Sequence, residues 1–168
     1  MVGALLSKDD CAKCRFCCSF RRQSLWETPV FVKETLPELK KIYPEVHFKT
    51  LSDNAVTLNF DDSYKTDDSE EEVTCYFNKN GCILPEWLKP FECKLWPLRV
   101  MRKADKLFAA ISMSCPAIRK HTEKEIRATA EGLSETMRNY ANLHPEIIKE
   151  YHENYKVLFE IEENPTCK

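Results

Sequence analysis

Four of the nine cysteines of this chain fall within eight consecutive positions, in the segment CAKCRFCC. Two-residue gaps separate Cys11, Cys14 and Cys17, so successive thiolates can converge on one centre. In bacterial ferredoxins the same C-x2-C-x2-C spacing wraps a [4Fe–4S] cube, and a further ligand there is a cysteine followed by proline, as in Cys115-Pro116. An ordinary zinc finger uses two separated pairs instead. The spacing therefore favours an iron–sulfur cluster, with zinc as the alternative.

The cysteines at positions 17 and 18 are adjacent, which complicates a single site. Neighbouring side chains point to opposite sides of an extended chain and are about 100° apart on a helix. On a helix, Cys11, Cys14 and Cys18 share one face, and Cys17 lies beside it. Either one of the adjacent pair is not a ligand, or the two serve different metal atoms. We also expect nearby basic residues to lower the pKa of these thiols. Those residues are Lys13, Arg15, Arg21 and Arg22.

A second set of four cysteines is spread further along the chain: Cys75, Cys82, Cys93 and Cys115. The segment Asn78–Gly81 predicts a turn between the first two of them. Pro85 and Pro90 stiffen the return towards Cys93. Together with the first four cysteines, this set makes eight possible metal ligands, which either complete one centre or build a second one.

Other residues near the cysteines have predicted roles of their own. Aromatic side chains surround Cys93 in the sequence and are expected to pack the metal site and exclude water from it. They are Trp87, Phe91 and Trp96. His121 is an alternative ligand, although a surface cap near the next helix is the favoured interpretation. Cys167, in the tail, is expected to be a free thiol.

Composition and charge limit the cellular compartments and the classes of partner that we expect for this protein. The 168 residues carry a formal charge of −2 and have a pI near 6.1, so no bulk basic field predicts nucleic-acid binding. The first ten residues hold too short an apolar run for a signal peptide, and no stretch approaches the roughly 20 apolar residues of a membrane span. We therefore expect a cytoplasmic protein without a membrane partner. Thiols stay reduced there, and a dense, odd set of cysteines indicates metal or redox chemistry.

Periodicity predicts an α+β fold in one domain, 1–168, with a cysteine-cluster region at 11–116 and a helical part at 117–168. The predicted elements are a helix from Thr28-Pro29 to Tyr43, a hairpin of Val46–Leu51 with Ala55–Phe60, an acidic loop at Asp61–Glu72, a short strand at Val73–Phe77 and a hairpin of Leu98–Arg102 with Leu107–Ser112. A capping box at Thr122 and Glu125 starts a helix with apolar positions to Tyr140. A last helix is predicted from Pro145 to Glu160.

These motifs, taken in order, resemble the CxxCxxCC, or YkgJ-type, cysteine-cluster family, which is described as zinc- or iron-chelating. The matching parts are Cys11-x2-Cys14-x2-Cys17-Cys18, Cys75, Cys82, the segment KPFECKLWP at 89–97, and Cys115-Pro116. Lys89 departs from the family, which commonly has arginine before that proline. The cysteine pattern is also similar to that of flagellin lysine N-methylases. That similarity implies an iron–sulfur centre in the wider family.

Three functions follow as hypotheses. The first is a small iron–sulfur protein that acts in electron transfer or as accessory to a redox or modification system, and it requires a partner protein. The second is a zinc-stabilised interaction module, in which the metal contributes folding energy alone. The third is a small protein-modifying enzyme of the lysine-methylation kind. Against the third, the sequence contains no G-x-G-x-x-G, Walker A or G-x-S-x-G motif.

Overall fold

A computed structural model describes residues 5–162. The chain divides into two compact units. Residues 7–94 form one, called here the cysteine unit, and residues 95–162 with residues 5–6 form the described part of the other, the C-terminal unit. Helices and small sheets occur in the same chain, which confirms the α+β class. The division falls after Lys94 and not near 116, while a single domain over 1–168 stays a prediction.

The cysteine unit contains two antiparallel sheets and short helices. Its elements are α1 (Lys8–Cys14), β1 (Ser19–Phe20), β2 (Val30–Val32), α2 (Leu36–Ile42), β3 (Phe48–Thr50), β4 (Ala55–Leu58), β5 (Val73–Thr74) and α3 (Phe91–Leu95), which runs across the division. The strands pair in the orders β1-β5 and β2-β4-β3. Strand β4 is central and buried at all four positions, and Leu39 of α2 is fully buried in the same core.

The predicted hairpin near residue 50 is confirmed by the pairing of β3 with β4. The helix predicted from Thr28 is wrong in its first part. The Thr28 hydroxyl donates back to the Leu25 carbonyl at 2.6 Å, and Val30–Val32 pairs with β4 as a strand, because its β-branched and aromatic side chains fit a buried sheet. The helix starts only at Leu36, with Pro37 in its first turn, where the missing N–H costs nothing.

The C-terminal unit is a four-stranded sheet with two helices. Its elements are β6 (Leu98–Lys103), β7 (Lys106–Ser112), α4 (Glu123–Gly132), α5 (Ser134–Leu143), β8 (Lys149–Glu150) and β9 (Tyr155–Ile161). The sheet order is β8-β6-β7-β9, with β8 parallel to β6 and the other pairs antiparallel. The predicted second hairpin is therefore confirmed as β6 and β7.

The helices of this unit follow the predicted capping box. The Thr122 hydroxyl accepts from the Glu125 amide, and the Glu125 carboxylate accepts from the Thr122 amide at 2.7 Å. The helical run breaks at Leu133 into α4 and α5. The helix predicted from Pro145 to Glu160 is wrong, since Pro145–Ile147 forms only a 3₁₀ turn and the residues after it include β8 and β9. Within the described residues, no helix has both the length and the apolar character needed to cross a bilayer.

Candidate metal centre

The first three motif cysteines lie on and after α1. Ser7 caps this helix through a capping box with Asp10. Cys11 and Cys14 are three residues apart and so share a face of the helix. The helix ends at Cys14, because Arg15 takes a left-handed conformation with φ of 53°. Residues 16–18 then form a separate 3₁₀ turn, so the segment is not one continuous helix, the condition under which Cys11, Cys14 and Cys18 would share a face.

The turn at 78–82 packs against α1. A Cβ atom placed on Gly81 would lie 3.5 Å from the Cβ of Ala12, and the φ of Gly81 is +115°, which favours glycine. The Arg15 guanidinium also donates to the side-chain oxygen of Asn80. Two segments that are far apart in the sequence, each carrying cysteines, are therefore held side by side.

Strands β1 and β5 bring Cys18 and Cys75 together. Ser19 pairs with Thr74 in antiparallel register, so the two cysteines stand directly opposite each other at the end of the ladder. The Cys75 amide donates to the Cys18 carbonyl at 2.6 Å. Side chains at opposed antiparallel positions lie about 5 Å apart at Cβ. The fold of the backbone thus places these two thiols on one side of the ladder.

Asn78 joins three of the cysteine positions. Its amide donates to the Cys75 carbonyl at 2.9 Å, and its backbone pairs with that of Cys82 in an isolated antiparallel bridge. Its side chain, after the larger effect of the Cys17 thiol, lowers the pKa of Cys18. Its side-chain oxygen also accepts from the Gly81 amide at 3.1 Å. Sequence reasoning identified Asn78 only as the start of a turn. The signal it missed was the position of an amide side chain between two cysteines.

Cys93 reaches the same region from α3. The preceding residue, Glu92, is 5% exposed, and its carboxylate accepts from the Val30 amide at 2.6 Å, which anchors the helix on β2. The Cys93 thiol lies within electrostatic range of four others, those of Cys17, Cys18, Cys75 and Cys82. Helix α3 therefore adds Cys93 to the cysteines that the turn at 78–82 and the β1–β5 ladder bring together.

The thiol pKa values reflect this crowding. The sulfurs of Cys17 and Cys18 are 4.0 Å apart. Their hydrogen bond raises the pKa of Cys17, with burial adding to the effect, and lowers the pKa of Cys18, which Lys89 and Asn78 lower further. Burial raises the pKa of Cys75 to about 12, and burial also raises the pKa values of Cys82 and Cys93. Most of these thiols are therefore protonated at neutral pH when no metal is bound.

Six of the eight predicted ligands interact electrostatically within the cysteine unit, and Cys14 lies exposed on α1 nearby in sequence. The six are Cys11, Cys17, Cys18, Cys75, Cys82 and Cys93. Cys115 is 4% exposed in the C-terminal unit. In that unit a ring nitrogen of His121 hydrogen-bonds the Leu5 carbonyl at 3.0 Å, and Cys167 lies outside the described residues. Within residues 5–162, no three Cys, His, Asp or Glu side chains already stand close enough to hold one metal ion.

Two expectations about the surroundings are corrected. Arg21 and Arg22 do not face the thiols: they form ion pairs with glutamates of the acidic loop, and Arg22 stacks on Tyr64. The cation within range of Cys18 and Cys82 is Lys89. Trp87, expected to shield the site, is 62% exposed. The carboxylates that pair with Arg21 and Arg22 belong to the acidic loop after β4, and the long arginine side chains extend towards them.

Comparison with protein-family models, curated proteins and solved structures gives no significant match. The resemblance to the CxxCxxCC family therefore stays a prediction from the sequence. What indicates a function is the chemistry of the gathered thiols. Eight cysteines are free of disulfides, and soft thiolate donors select zinc, copper(I) and iron–sulfur clusters.

Proposed function

We propose that this protein binds a metal centre through the thiols of the cysteine unit, most simply an iron–sulfur cluster of the [4Fe–4S] kind. The supporting observation is that the backbone brings reduced thiols from α1, the β1–β5 ladder, the turn at 78–82 and α3 into one region. Its role would be electron transfer, or accessory work in a redox or modification system with a partner protein.

The donor set fits such a cluster. Cys11, Cys14 and Cys17 have ferredoxin-like spacing and begin the ligand set, while the proposed fourth ligand, Cys115, stays a prediction. When bound, the cluster would supply one-electron chemistry. The chain's own contribution is to exclude water around the half-buried thiols and to place the Lys89 cation within range of Cys18 and Cys82, which offsets negative charge.

Zinc is the alternative, since a thiol-rich site satisfies zinc equally well. Purification without oxygen separates the two. An iron–sulfur protein is brown and contains iron with acid-labile sulfide in matching amounts. A colourless protein with stoichiometric zinc and no sulfide would exclude the cluster and leave the zinc-stabilised module.

A further inference from the structure

Four of the gathered thiols form a group in which each lies within electrostatic range of the other three: Cys18, Cys75, Cys82 and Cys93. We infer that the chain holds two metal centres and that these four cysteines form one of them, a closed four-thiolate centre. This division of the ligands rests on the proposed function, because it concerns the same thiol-rich region.

Backbone geometry supports the group independently of charge. Cys18 and Cys75 stand opposite each other beyond the paired residues Ser19 and Thr74, joined by a hydrogen bond of 2.6 Å. The two thiols also lie within electrostatic range of each other. A two-residue ladder of this kind has little stability of its own, and the buried side chains of Phe20 and Val73 anchor it in the core of the cysteine unit.

The turn at 78–82 adds the third thiol. Asn78 is tied to Cys75 by a backbone hydrogen bond and to Cys82 by an antiparallel bridge. One residue thus joins Cys75 and Cys82 of the group. Cys93 supplies the fourth thiol from α3, whose position is fixed by the buried Glu92 on the Val30 amide.

The remaining thiols of the unit are those of Cys11, Cys14 and Cys17. Cys11 and Cys14 lie on α1, and the Cys17 thiol interacts with those of Cys18, Cys93 and Cys11. Cys17 and Cys18 then serve different centres, although their sulfurs are only 4.0 Å apart. This assignment explains how adjacent cysteines are both used, since one residue follows α1 and the other precedes β1.

Four thiolates complete the coordination of a single thiophilic divalent ion or give one ligand to each iron of a cube. Either occupant leaves no open position for a substrate. The four-thiolate centre is therefore structural or redox-active and does not bind substrate, and a metal analysis separates a single ion from a cube.

The test uses the full chain, reduced and stripped of metal without oxygen, and titrates it with Co²⁺. Thiolate-to-cobalt absorption reports the number of thiolates bound. The triple variant Cys11→Ser/Cys14→Ser/Cys17→Ser should keep one tetrahedral, four-thiolate Co²⁺ per chain. The double variant Cys75→Ser/Cys82→Ser should lose that spectrum, and Cys167→Ser, the matched control, should keep the wild-type spectrum. Loss of the four-thiolate spectrum in the triple variant overturns the assignment.

A second measurement tests the same assignment on wild-type protein, in case the double variant fails to fold. Wild-type protein with one equivalent of Zn²⁺ is alkylated, and its cysteines are mapped by mass spectrometry; Cys18, Cys75, Cys82 and Cys93 should be protected. Protection of Cys11 and Cys14 instead contradicts the assignment. If the wild-type protein binds zinc but never iron with sulfide, the proposed iron–sulfur cluster is excluded and the four-thiolate centre is retained. Wild type that binds no metal refutes both.

Discussion

At the scale of single residues, the environment of Cys18 is set by a few specific contacts. The neighbouring Cys17 thiol lowers its pKa most, and Lys89 and Asn78 lower it further. Buried Cys75 and Cys93 have raised pKa values instead. Because the thiolate is the nucleophile, Cys18 should be the most reactive of these half-buried thiols in metal-free protein.

Asn78→Ala removes a side chain that, together with the Cys17 thiol and Lys89, lowers the pKa of Cys18. The pKa of Cys18 should rise, and its alkylation by iodoacetamide at pH 7.5 should slow by a factor of several, up to roughly tenfold. Mass spectrometry of the alkylated peptide gives the rate. Asn139→Ala, on the exposed surface of α5, is the control and should leave the rate unchanged. An equal rate in both variants would show that Asn78 does not act on this thiol.

The raised thiol pKa values also fix the pH dependence of metal uptake. Binding requires thiolates, so each ligand thiol that is protonated in the metal-free protein releases a proton when metal binds. Affinity for Zn²⁺ should therefore rise with pH between 6 and 8, by about tenfold per pH unit for each proton released. Titrations in buffers of different ionisation enthalpy count those protons. An affinity that does not change with pH would contradict the raised pKa of Cys75 and Cys93.

At the scale of elements, the turn between β6 and β7 carries backbone strain. Lys103 pairs with Lys106, and the two residues between them, Ala104 and Asp105, have φ values of 48° and 62°. Such a turn favours Asn-Gly. Ala in particular pays a steric cost in the left-handed region.

Ala104→Asn/Asp105→Gly should stabilise the protein by about 1 kcal/mol, because Asn and Gly adopt the left-handed conformation at lower cost. The urea midpoint should rise without a change in m-value. Ala128→Asn, at an exposed position of α4, is the control and should cost about 0.5 kcal/mol through helix propensity. A double variant that is no more stable than wild type would mean that the turn is already relaxed.

Local sequence signals predicted elements well where one signal acted alone. The capping box at Thr122 and the hairpin of β6 and β7 follow directly from their residues. Prediction failed at Tyr155–Ile161 and Val30–Val32, where apolar runs fit either a helix or a strand and a distant partner strand decides. The cysteines were visible as ligands, but no local signal shows that Cys18 faces Cys75, because that depends on strand register.

At the scale of the whole molecule, the candidate ligands are unevenly distributed. Seven of the eight lie in the cysteine unit, and Cys115 lies in the C-terminal unit. The core of the cysteine unit includes Phe20 and Val73 from β1 and β5, next to the cysteine-bearing ends of the ladder. Metal binding should therefore stabilise this unit first.

Removal of the metal by a chelator should destabilise the cysteine unit more than the C-terminal unit. After metal removal, amide hydrogens in β1, β5 and the turn at 78–82 should exchange at least tenfold faster, while those of β6, β7 and β9 change little. Hydrogen exchange with mass spectrometry, with and without a chelator, measures this contrast. Equal acceleration in both units would contradict a metal that is held by the cysteine unit alone.

The β1–β5 ladder has a topological consequence. Cys18 and Cys75 bracket the whole β2-β4-β3 sheet and α2, so a metal held by both thiols closes that stretch of chain into a ring. Closing a loop of this length removes conformational freedom from the unfolded chain worth on the order of 4 kcal/mol, as for a disulfide. A chain of this kind would gain the benefit of a covalent crosslink from a bond that a chelator can reverse.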